Sequence, residues 1–177
     1  ATELTVQVLS EDRLATGDQP ASIAWLAASL AVPEEEDDEE GCSLTLGYWK
    51  THNKYRQPRR DPTWDELPDG EDTPFFDTGL SYYEILWVKP RGNAYIILAR
   101  QYVAAVLNGL AGADTSDIDD ALVEATILLD TYDGDPMDDE DIDRETRKRF
   151  IELAGMFDDY NNGRTGPGHC DDRIDIR

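Results

Sequence analysis

A chain of 177 residues holds one core of ordinary size with a short appendage, and its 39 carboxylates against 16 bases leave a net charge of −23. Nucleic acid is a poor partner for such a surface. The bases are mostly arginine, with lysine only at 50, 54, 89 and 148. That balance fits a protein working in brine, where salt shortens the Debye length to about 3 Å at 1 M, or one neutralised by divalent cations.

The chain opens on an arm, residues 1–33. Leu4, Val6 and Val8 alternate with Thr5 and Gln7, as in a strand. TGDQP at 16–20 is a turn. The apolar run ASIAWLAASLAV at 21–32, with Ile23, Trp25 and Leu26, is either a short helix or a strand buried on both faces, and periodicity does not decide which. It falls well short of the roughly 20 apolar residues of a membrane span, and no other stretch comes closer. Seven consecutive acids at 34–40 then form a self-repelling linker, and a domain boundary belongs there.

Beyond Cys42 the pattern turns helical. Residues 63–67 follow Pro62 and read as one helical turn. Ser81 and Glu84 make a capping box for a short helix through Trp87, stopped by Pro90. Asn93 caps a long helix over 94–107 whose only strongly polar residues are Arg100 and Gln101, so this helix is expected at the centre of the body. A helix over 116–132 places Ile118, Leu122, Ala125, Leu129 and Tyr132 on one stripe. A last helix over 143–160 carries Thr146, Phe150, Leu153 and Phe157 on one face and ends at Asn161-Asn162-Gly163. The expected fold is mainly α: a strand-containing arm, a helical domain over 41–170 and a tail at 171–177.

Several motifs stand in fixed order along this domain. They are GCSLT at 41–45, GYWKTH at 47–52, TPFF at 73–76, SYYE at 81–84, GNAY at 92–95, YNNG at 160–163 and GPGHC at 166–170. Together they resemble a domain of secreted and surface proteins of bacteria and archaea, recognisable by its GYWKTH start and its YNNGxxGPGHC finish. The resemblance covers residues 41–170, leaves the arm outside, and implies a location rather than an activity. Two positions depart from the family: Leu46, where Gln is more usual, and Arg100, where His often stands. An extracellular or cell-surface location also agrees with a chain that starts at Ala1 without a methionine, and with a pair of cysteines.

Cys42 and Cys170 mark the two ends of the domain, and a disulfide between them would close it. A zinc site with His52 and His169 is the competing arrangement, although its spacing is not that of a finger, and a free thiol pair is the third. A two-histidine copper or iron site would require the family's third histidine, and Arg100 places a cation there instead. For His52, Tyr48 and Trp49 a packing cluster near the chain closure competes with any ligand role. Among residues 130–145, nine acids stand against one arginine. Asp133, Asp135, Asp138, Asp139 and Asp141, with Gly134, offer oxygen ligands for calcium as a cofactor, but not at EF-hand spacing; a solvated acidic loop is the alternative. No nucleophile motif, HExxH or phosphate loop is present, and the chain reads as a non-enzyme.

Residues 50–60 carry five bases and no acid: Lys50, Lys54, Arg56, Arg59 and Arg60. They lie close behind the acidic linker and could pair with it within one molecule or between copies, setting register more than strength. The expected function is that of an extracellular structural protein. Its arm, through Leu4, Val6, Val8, Ile23, Trp25 and Leu26, joins one copy to the next in a filament or similar assembly. The alternative is a secreted module whose aromatics Tyr48, Trp49, Tyr82, Tyr83 and Trp87 grip a glycan or another surface protein.

Overall fold

The computed structural model describes residues 41–132 and 142–170. The arm, the linker, the tail and the aspartates at 133, 135, 138, 139 and 141 lie outside the described residues. What is described is helical: α1 (Leu46–Thr51), α2 (Tyr82–Trp87), α3 (Ala94–Leu110), α4 (Asp119–Thr131) and α5 (Arg144–Asn161), with short 3-10 turns at Lys54–Arg56, Pro62–Glu66 and Gly70–Asp72. Among the described residues, extended pairing is limited to isolated bridges, Gly41 with Ala113, Ser43 with His169 and Pro74 with Ser81.

α3 is the axis of the body. Asn93 caps it, its side chain accepting from the Ile96 amide, and the helix runs three residues past the expected end. It is apolar nearly all round, and Leu98, Ala99, Val103, Ala104, Ala105 and Leu107 are closed to solvent. α5 lies along its most extensive contact face, and α1, α2 and α4 also pack against it. α5 presents Phe150, Leu153, Phe157 and Tyr160, all fully buried, at steps of three and four residues. Tyr102 of α3 meets Phe157 edge-on with ring centroids 6.2 Å apart, and Tyr95 meets Phe150 at the same distance. Each large apolar side chain taken from water here contributes on the order of 1.5–3 kcal/mol.

The ends of the helices follow local chemistry. At α2 the Ser81 hydroxyl accepts from the Glu84 amide while the Glu84 carboxylate accepts from the Ser81 amide. α5 starts after Asp143, whose carboxylate accepts from the amides of Glu145 and Thr146. α4 begins three residues later than expected. Asp114 takes the amide and hydroxyl of Ser116, and the Ile118 amide goes to Thr115 O, so residues 114–118 are held as turns. α1 was not signalled by periodicity: it is six residues long, and Thr45 starts it by accepting from the Tyr48 amide.

Cys42 and Cys170 are joined, with their Cα atoms 4.9 Å apart. The entry and exit segments of the body therefore meet at one place. The Ser43 amide donates to Gly168 O, and the Cys170 amide donates to Ser43 O. Gly163 lets α5 turn back onto this segment: its φ is +65°, and a Cβ there would stand 2.2 Å from the His169 amide nitrogen. Among the described residues no helix is long and apolar enough to cross a membrane.

Candidate functional site

The GYWKTH and GPGHC motifs close the body. Trp49 is fully buried and its indole N–H donates to Asn108 Oδ1 at 3.1 Å. Burial, and then the 2.7 Å hydrogen bond that Tyr48 donates to Asp61, holds its phenol well above the usual tyrosine range. The His52 ring stacks on Tyr48 with centroids 3.9 Å apart, and its Nδ1 lies 2.9 Å from Tyr48 O. His169 Nδ1 lies 3.0 Å from Ser43 O. A carbonyl only accepts, so in both histidines Nδ1 is the protonated nitrogen of that contact. No three His, Cys, Asp or Glu side chains among the described residues are grouped as a metal would require.

The basic stretch is divided by the fold. Lys54 pairs with Asp72, which also receives the Tyr55 hydroxyl. Arg60 bridges Asp65 and Glu71, with Nε 2.9 Å from Glu71 Oε1. Glu71 is fully buried and accepts the Lys54 amide as well. Arg59 is exposed. Lys50 and Arg56 instead turn to Trp87 at the end of α2. The Lys50 ammonium lies 4.2 Å and the Arg56 guanidinium 4.9 Å from the indole centroid.

Arg100 adds a third cation to this shelf from α3, near Lys50, its Nε donating at 3.2 Å to the carbonyl of Leu86, the neighbour of Trp87. Desolvation, then the nearby Arg100 and Arg56, lower the Lys50 pKa, and desolvation lowers that of Arg100. None of Lys50, Arg56 and Arg100 is paired with a carboxylate among the described residues. The shelf is held from beneath by Asn53, which is fully buried. Its amide group donates to the carbonyls of Trp49 and Lys50, and its oxygen accepts from the Tyr55 amide.

The aromatic row continues from Trp87 to Tyr83, with centroids 6.3 Å apart, and on to Tyr55, 4.5 Å beyond. Tyr55 and Tyr83 then form part of a cleft of about 520 Å³ whose lining includes Asp72, Phe76, Ser81 and Glu84. Of the five aromatics expected to form a binding surface, Tyr83 and Trp87 stand on this row. Trp49 belongs to the core, and Tyr82 packs edge-on against the buried Phe75 with centroids 5.2 Å apart. Tyr55, 52% exposed, was not foreseen, although it sits within the basic stretch. Compared with known proteins, the chain matches no family profile, no curated protein and no solved structure.

Proposed function

We propose that the protein is an extracellular structural protein, a subunit of a surface filament or similar assembly, in which residues 1–33 join one copy to the next. The observation that carries this reading is the covalent closure at Cys42 and Cys170. A load arriving through the arm meets a crosslink before it meets any helix of the body. The seven-acid linker can span about 20 Å when extended. The arm's apolar residues Leu4, Val6, Val8, Ile23, Trp25 and Leu26 need a partner surface, and a strand among them needs backbone partners that a neighbouring copy can supply. Resemblance of the motifs to those of secreted surface domains supports the location, and the acidic residues 133–141 are the place for calcium. Light scattering at high salt tests the reading. Full-length protein should form polymers, and protein lacking residues 1–32 should be a folded monomer. Full-length protein that stays monomeric, or truncated protein that still polymerises, rejects it.

A second reading is favoured by the shelf itself. Trp87 and Tyr55 are 39% and 52% exposed, and Lys50 and Arg56, which have no carboxylate partner among the described residues, lie over the Trp87 ring. On that reading the body is a secreted binding module for a glycan or another surface protein, and it is a monomer with ligand affinity.

A further inference from the structure

We infer that the shelf of Lys50, Arg56 and Arg100, with the cleft that follows it past Tyr83 and Tyr55, binds an acidic polysaccharide: sugar rings carrying carboxylate or sulfate groups. The inference rests on the second reading above and is independent of the arm.

Three observations carry it. First, among the described residues the cations are gathered without an anion. Among the described residues Lys54, Arg60, Arg149 and Arg164 each find a carboxylate. Lys50, Arg56 and Arg100 meet none there, although like charges in proximity oppose one another; burial first, and then Arg100 and Arg56, hold Lys50 below its usual range. An anion on the shelf relieves that repulsion.

Second, Trp87 serves the cations. Lys50 and Arg56 lie over its ring, so the indole orients the two charges instead of offering its face to a sugar. Third, the chemistry changes along the row. Past Tyr83 the cleft presents aromatic rings, the Ser81 hydroxyl and the carboxylates of Asp72 and Glu84. Carboxylates accept from sugar hydroxyls and repel further anions. A run of aspartates or glutamates would suit the shelf but has no hydroxyl to donate to the cleft. A sugar chain whose rings carry free hydroxyls beside their acidic groups suits both.

Calorimetry on the full-length protein, with chelator present and ionic strength fixed, tests the inference. The probes are polygalacturonate, dextran sulfate, neutral dextran and polyglutamate. Polygalacturonate or dextran sulfate should bind, neutral dextran should not, and polyglutamate should bind roughly tenfold more weakly. The double variant Lys50→Gln/Arg56→Gln should abolish binding of the acidic glycan. Tyr55→Ala should weaken the glycan and leave polyglutamate unchanged. These side chains lie on the surface, and a thermal melt confirms that each variant is folded. Equal affinity for polyglutamate and the acidic glycan, both lost in the double variant, would keep the face as an anion site and overturn the sugar. Glycan binding that survives in the double variant, or no binding of any probe, would overturn the site altogether.

Discussion

The side-chain amide of Asn108 donates to Asn161 Oδ1 across 2.9 Å, in a place closed to solvent for both residues. The same amide donates to Leu44 O, and Asn108 Oδ1 accepts from the Leu44 amide and the Trp49 indole. Asn161 in turn donates to the Gln101 carbonyl and to its side-chain oxygen. One polar residue on the central helix thus ties the entry segment, α1 and the end of α5 together. Asn108→Ala would leave several buried donors and acceptors without partners, at about 1–3 kcal/mol each before relaxation. A loss of roughly 3–5 kcal/mol in urea unfolding is expected. A loss near that of an exposed asparagine would mean that the hub is not the closure of the body.

Leu98 tests the apolar half of the same helix. It is fully buried, so Leu98→Ala removes transfer energy and leaves a cavity. The expected cost is about 2–5 kcal/mol. A cost below about half a kcal/mol would place α3 at the periphery.

The crosslink can be read by mass. Alkylation of the native, unreduced protein should add nothing at Cys42 or Cys170, and reduction should expose both thiols. The bond spans a sequence separation of 128 residues. By chain entropy, Cys42→Ser/Cys170→Ser should lower stability by about 5 kcal/mol. Two reactive thiols in the unreduced protein would refute the bond.

Glu71 predicts how stability follows pH. Burial by itself would raise its pKa, but the Arg60 hydrogen bond and the amides of Glu71 and Lys54 outweigh burial and hold it below the ordinary 4.5. The folded protein therefore takes up this proton less readily than the unfolded chain. Its contribution is complete above the ordinary glutamate value and is lost as pH falls through the lower, folded-state value. The stability difference between the native protein and Glu71→Gln should be constant near neutrality and shrink in the acid range below 4.5. A difference that stays level throughout that range would show that the Arg60 pair does not hold the proton off.

The helical parts most legible in the sequence are those whose causes lie within four residues. Asn93 and Ser81 cap their helices through amides three positions ahead, and the apolar steps of α3 and α5 repeat at the helical period. Such interactions are local, so they can be read one window at a time. The pairing of Cys42 with Cys170 was legible for another reason: two cysteines at the ends of one domain leave few arrangements.

Tertiary structure alone decided what the similar-looking residues became. Trp49 and Trp87 both lie in aromatic, helical stretches. One is sealed against Asn108, and the other carries two cations at the surface. Lys50 and Lys54 stand one turn apart, yet Lys54 meets Asp72 and Lys50 meets Trp87. Asn108 showed nothing in its own neighbourhood, because its partners at Leu44 and Asn161 are 64 and 53 positions away. Burial and charge pairing are set by which distant segments the packed helices bring to one place, and a local window holds no record of that.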